Sequence, residues 1–213
     1  MIPCSIEKWI SLVEKFTTAQ RFRFYETGLE EMLIIPSVQM RDFLLHFMML
    51  GYNPNSKKFM IQEDSGSKGL ISLRPDDVFS IFGFKNEGED VFGILATEGK
   101  ELIKKIPIQY VHKKNGQIMI DDLIQKIVRN KSADDEFLRM AVLVLLGTII
   151  APMSAVSIPK EYYALVHDVK RISTLNFNVF TLRTCLTEIG KLKQDGRVRQ
   201  WPCGNLALLQ VCY

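Results

Sequence analysis

Between Met140 and Pro159 the chain carries no charged side chain, and Met140 to Ala151 is close to continuously apolar. A stretch of that kind has to be covered, by other protein or by lipid. Crossing a bilayer takes about 20 apolar residues. Here Pro152 breaks the run after Ala151, and Ser154 and Ser157 follow it in a polar turn. The run therefore predicts a buried central helix from Phe137 to Ile150, enclosed by other helices, and no membrane insertion.

The remaining sequence has enough apolar surface to enclose such a rod. It is 213 residues long and 47% hydrophobic, 10% aromatic and 24% charged, which excludes a disordered tail, a collagen-like fibre and a low-complexity protein. Net charge is +3, too small a field to point to nucleic acid or an acidic membrane. Cys4, Cys185, Cys203 and Cys212 show no close pairing, so free thiols in a reducing, intracellular compartment are expected. Glu7, Lys8, Glu14 and Lys15 interrupt any secretory signal. The basic residues Lys8, Lys15, Arg21 and Arg23 leave mitochondrial association open beside nucleus or cytoplasm, whereas Glu7, Glu14 and Glu26 argue against a presequence.

Periodicity predicts one mainly α-helical domain over 1–213. Its N-terminal part, 1–51, reads as helices: Ser5 caps a first, Phe22 to Met32 form a second, and Met40 to Leu50 a third stopped by Gly51. The middle part, 52–130, holds a small β-hairpin near residues 58–73 with a mobile tip around Asp64 to Gly69, and short helices. Pro75 with Asp76 and Asp77 starts one, ended by Gly83. Asp90 to Ala96 reads as strand or loop, a helix from Glu98 runs to Pro107, and Asp121 caps another. The last part, 131–213, opens on a capping-box-like Ser132 to Asp135 and the central helix. A helix from Pro159 to Ile172 follows, then one capped by Asn178 and ended by Gly190, a basic loop from Lys191 to Arg199, and a terminal helix capped by Asn205.

Chemistry is hard to find in this pattern. His46, His112 and His167 lie far apart in sequence with no cysteine or paired carboxylate at ligand spacing. Adjacent His167 and Asp168 diverge on a helix and cannot form a dyad. Gly66-Ser67-Lys68 lacks the first glycine of a phosphate loop and precedes a strand. Asp76/Asp77, Asp121/Asp122 and Asp134/Asp135 all sit at helix starts, where the dipole explains them. No cofactor, no metal and no catalytic activity are expected. Lys104, Lys105, Lys113 and Lys114 form one basic group, while Lys191, Lys193, Arg197 and Arg199 form the candidate basic patch. The terminal apolar helix, with Leu206, Leu209, Val211 and Tyr213, either joins the core or is a candidate self-association surface. In the second case the chain is a homodimer and Leu209→Asp gives a folded monomer.

The run Leu73-Arg74-Pro75-Asp76-Asp77-Val78-Phe79-Ser80-Ile81-Phe82-Gly83-Phe84, followed by Gly88, resembles the signature of the plant mobile domain, a family of transposon-linked plant proteins that includes fusions to SUMO-protease-like modules in grasses. Phe137-Leu138-Arg139 through Leu146-Gly147-Thr148-Ile149-Ile150-Ala151-Pro152 is similar to its central helix and exit. Tyr163, Asp168, Ile172 and Asn176-Phe177 continue the likeness, and Trp201 through Gln210 resembles its closing segment. Phe84-Lys85 departs from the usual leucine-proline, and no protease follows. The resemblance implies a stand-alone, truncated plant (grass) member without catalytic residues, one that acts through an unidentified protein partner. A toxin or antidote component of a hybrid-sterility system is the expectation it raises. The alternative is a nuclear, nucleic-acid- or chromatin-associated protein of transposon origin.

Overall fold

The computed structural model describes residues 4–62, 68–196 and 201–211. Helix α1 (Ile6–Val13) begins at Ser5, whose hydroxyl accepts from the Lys8 amide, and buries Ile6, Trp9, Leu12 and Val13. Its indole N–H donates to the Met32 carbonyl at 2.7 Å, so the ring packs inward without an orphaned donor. The second helix starts earlier than its apolar spacing suggested. Thr17 and Gln20 form a reciprocal capping box that opens α2 (Thr18–Phe24). It runs on as a 3-10 turn, Tyr25–Thr27, which Gly28 ends in the left-handed region, and Glu30–Leu33 is a separate 3-10 turn.

Helix α3 (Asp42–Gly51) feeds directly into β1 (Tyr52–Asn53). Gly51 is therefore a helical residue and not a left-handed stop. A Cβ there would lie 2.4 Å from the Met60 carbonyl oxygen, so the glycine lets the sheet reach the helix. The expected hairpin is β2 (Lys58–Gln62) against β3 (Lys68–Ile71), antiparallel with Phe59 opposite Ile71, and β1 adds a third strand. The tip, 63–67, lies outside the described residues.

Helix α4 (Pro75–Phe82) has the proline and the two acids in its first turn and Gly83 at its left-handed end. Residues 90–96 are neither strand nor loop. Both carboxylate oxygens of Asp90 accept from the amides of Phe92 and Gly93 and nucleate α5 (Val91–Thr97). The short α6 (Gly99–Leu102) runs on as 3-10 turn to Lys105. A second 3-10 turn, Ile108–Tyr110, follows Pro107. Next, β4 (Ile118–Met119) leads into α7 (Ile120–Arg129), where Asp121 and Asp122 occupy the first turn and Met119 is the capping residue.

The apolar run is buried as expected, but it is not one regular helix. Asp134 caps α8 (Asp135–Leu145) by accepting from the Phe137 amide at 2.9 Å. Leu146–Ile150 then widens into a π turn, closed by Ala151 N–H donating to the Leu146 carbonyl. Every residue from Met140 to Ala151 is buried. Helices α1, α2 and α7 pack around this rod, as does β5 (Ser157–Ile158), which pairs with β4. Each large apolar side chain covered there contributes roughly 1.5–3 kcal/mol, and the rod lies within a core that also takes in Trp9, Phe24, Phe59, Phe82 and Phe180.

The expected helix over 159–172 is broken. A 3-10 turn precedes α9 (Tyr163–Val166), and Asp168 starts a second 3-10 segment, Val169–Thr174. The cap of α10 (Phe177–Gln194) is Asn176, accepting from the Val179 amide. Asn178 is instead fully buried and donates to the carbonyls of Pro75 and Phe84, at either end of α4. Gly190 lies inside α10, which runs on to Gln194. The last helix, α11 (Ala207–Val211), is capped by Asn205. Among the described residues no helix is long and apolar enough to cross a membrane.

A polar clasp joins the loop before α5 to the segment before α10. Arg171 donates to Glu89 at 2.6 Å and to Glu98 at 2.9 Å, and the Thr174 hydroxyl donates to Glu89 at 2.8 Å. Those bonds hold the Glu89 carboxyl below its ordinary range, as backbone donors do for Asp134. Gly88 makes the approach possible. It sits at φ +109, and a Cβ there would lie 2.2 Å from the Thr174 carbonyl oxygen.

Gly88→Ala is expected to cost about 2 kcal/mol or more, and Gly147→Ala about 1–3 kcal/mol, because the Gly147 methyl would meet Ile158 Cγ1 at 2.7 Å. Urea titration measures both. Glu89 and Asp134 titrate lower folded than unfolded. The stability they add is complete above the ordinary carboxylate range of about pH 4 and is lost as pH falls through their depressed values. Glu89→Gln should therefore flatten the acid limb of the stability–pH curve while shifting the urea midpoint at neutral pH to lower concentration.

Candidate binding groove along α10

The candidate residues of the sequence do not come together as one site. Leu206 and Leu209 are fully buried against the chain's own core, Val211 is half-exposed, and Tyr213 lies outside the described residues. The terminal helix is held from below by Asn205, which accepts from the Leu208 amide and from the Cys4 thiol, while its carbonyl accepts from the Cys185 thiol. A second copy cannot reach Leu206 or Leu209 without opening the core.

The basic patch is likewise partly consumed by the fold. The Lys193 ammonium donates to the carbonyls of Leu50 and Tyr52, where α3 passes into β1, and burial lowers its pKa. Lys191 pairs with Glu188 at 2.6 Å. Arg197 and Arg199 lie outside the described residues. Trp201 lies against His46, with ring centroids 4.3 Å apart and planes tilted by 55°.

The histidines have local partners in three separate places. His46 Nδ1 lies 3.0 Å from the Asp42 carbonyl, His112 Nδ1 accepts from the Lys114 amide, and His167 sits beside the Tyr163 ring. Among the described residues no three His, Cys, Asp or Glu side chains gather as metal ligands. Burial pushes the Cys4 thiol up to about 12, where little nucleophilic thiolate exists.

What the structure does assemble is a groove along the solvent face of α10. One half is an apolar trough of about 320 Å³, floored by Phe92, Leu95, Tyr162 and Phe180 and edged by Met153 and Pro159. Phe92 and Phe180 meet edge to face at 5.0 Å, and the Tyr162 hydroxyl is turned away to donate to the Ala151 carbonyl. The other half, about 340 Å³, is polar and lies between α10 and the turn after β1. Lys57, Arg183 and Lys191 line it, with no carboxylate among the described lining residues. Thr187 and Lys191 border both halves and join them. The Arg183 guanidinium lies 4.3 Å over the Phe92 ring, which fixes one cation where trough and polar half meet. Glu161 and Glu188 stand at the trough edge, and Glu188 is the partner of Lys191.

Sequence reading found Lys191 but missed Lys57, Arg183 and the trough. Positions 180, 183, 184, 187, 188, 191 and 194 of α10 share one side by helical spacing, with Phe180 and Thr184 buried and Arg183, Thr187, Lys191 and Gln194 exposed, a mixture that gives no clear stripe in the sequence.

Residues 2–210 match DUF8566, a domain of unknown function. The chain belongs to this family. No curated protein and no solved structure matches it. The DUF8566 match corrects the resemblance to the plant mobile domain, for which there is no other indication. The residues that carried that likeness have local reasons. Pro75, Asp76 and Asp77 start α4, Gly83 stops it, and Gly147 to Pro152 form the π turn and its exit. Such devices recur in unrelated folds.

Because Leu209 is buried within its own chain, Leu209→Asp is expected to destabilise this DUF8566 fold by about 3 kcal/mol or more rather than release a folded monomer. A thermal melt by circular dichroism, beside light scattering, distinguishes the two results.

Proposed function

We propose that this DUF8566 chain is a non-catalytic protein-binding domain of an intracellular, reducing compartment, and that the α10 groove receives its partner. The observation that carries the reading is the amphiphilic character of the groove. An aromatic trough continues into a half lined by cations without carboxylates. The partner segment it fits presents one or two large apolar side chains next to acidic residues. The ionisable groups at the groove serve as an electrostatic rim: Lys191 is neutralised by Glu188 and Arg183 rests on an aromatic face. The toxin, antidote and transposon roles rested on the family resemblance and are not part of this proposal.

A photo-crosslinking residue at exposed Thr187 should trap a protein in cells expressing the tagged chain. Lys57→Glu with Arg183→Glu should weaken that association about tenfold or more with an unchanged circular dichroism spectrum. A nucleic-acid adduct with steep salt dependence would instead favour the nucleic-acid reading. A protein adduct that survives both charge reversals would overturn the site.

A further inference from the structure

A second cleft, remote in sequence from the α10 groove, lies between the 3-10 turn at Glu30–Leu33 with its exit to Pro36 and the end of α4 with Gly83 to Lys85. It encloses about 540 Å³ over an apolar floor of Leu29, Met32, Phe82 and Phe84. Its two lips are large apolar side chains left in solvent, Ile34 at 77% exposure and Phe79 at 53%. A smaller recess of about 110 Å³ continues it past Glu87 towards Ile172 and Phe177. The exposed charges along this path are Glu30, Glu31 and Glu87 against Lys85, and Lys85 lies 3.9 Å from Glu87. The cleft is therefore greasy within and acidic at its rim.

The same chain carries the complementary shape and charge elsewhere. Pro107 and Ile108 form the apex of the turn after α6, and Ile108 is 85% exposed. Lys104 and Lys105 precede this apex and Lys113 and Lys114 follow it, all four exposed. Lys105 has a loose ion pair with Glu101 at 3.7 Å. An exposed aliphatic knob set among lysines and an apolar cleft edged with carboxylates match in both hydrophobicity and sign.

We propose that the knob of one copy docks into the acid-rimmed cleft of a second copy, giving head-to-tail self-association. The two surfaces are different parts of the chain, so the interface is heterologous; each added copy uses one surface and leaves the other free, and the oligomer always ends in one open cleft and one free knob. The contact is independent of the α10 groove, which stays open in every copy.

Analytical ultracentrifugation over a micromolar to millimolar range tests this. The wild-type chain should gain mass with concentration, less so at high salt. Ile34→Asp and Ile108→Asp should each lower self-affinity about tenfold or more, and both positions are exposed enough to leave the thermal melt unchanged. The decisive measurement is the mixture of the two variants. Ile34→Asp retains a good knob and Ile108→Asp a good cleft, so together they should form a dimer that neither forms alone and that grows no further. Should either variant fold poorly, Glu30→Lys with Glu31→Lys, mixed with Lys104→Glu and Lys105→Glu, tests the contact by charge: each repels itself, and the mixture associates and grows past the dimer because both junctions are then complementary. A wild-type chain that stays monomeric at millimolar concentration would overturn the proposal, and would be the result if a foreign basic, apolar segment fills the cleft. So would self-association that survives both variants, or variants that fail to complement.

Discussion

The wide turn at Leu146–Ile150 is the constraint around which the rest of this fold is arranged. A helix that opens to i→i+5 spacing leaves carbonyls that its own ladder no longer uses. Here the surroundings supply the missing donors. The Ser5 amide donates to the Thr148 carbonyl at 2.9 Å, which pins the start of α1 to the rod, and the Tyr162 hydroxyl donates to Ala151, which pins the segment before α9. The Thr148 hydroxyl turns back to Val144, so the one polar side chain of the run is satisfied without water. Hydrophobic burial supplies the energy of the rod, and these few bonds decide which elements lie beside it.

Much of that arrangement could be read from the residues, because the signals were local. Asp77 of α4, the serine before α1 and the asparagine before α11 act on amides three positions away, and sequence spacing captures that directly. The failures involved neighbours distant in the chain. Gly51 reads as a helix stop until Met60 is seen beside it, and Asn178 reads as a cap until it is found bridging both ends of α4. The π turn has no sequence signature beyond its apolarity. Asp90 is an ordinary capping residue, but the β-branched and aromatic residues after it suit a strand as well.

The surface features follow the same division. A row of lysines can be recognised in sequence, but whether each ammonium faces solvent depends on the fold. Lys193 is spent on two carbonyls and Lys191 on a carboxylate, while Lys57 and Arg183, unremarked in the sequence, edge the groove. The apolar trough and the acid-rimmed cleft each draw on segments more than forty positions apart, so no short window of sequence contains either. The polar half of the groove is lined by Lys57, Arg183 and Lys191 and the cleft rim carries Glu30, Glu31 and Glu87, so the two surfaces differ in charge.

The bond from Ser5 to Thr148 and the contact between Cys4 and Asn205 have a consequence for the order of folding. Trp9 can be covered early, because Phe16, Phe24 and the Met32 carbonyl are all near it in the chain. Docking of that local cluster is a different matter, since the Cys4–Asn205 contact joins positions 201 residues apart. Closing so long a loop is slow, so the cluster forms ahead of the surface it finally seats on.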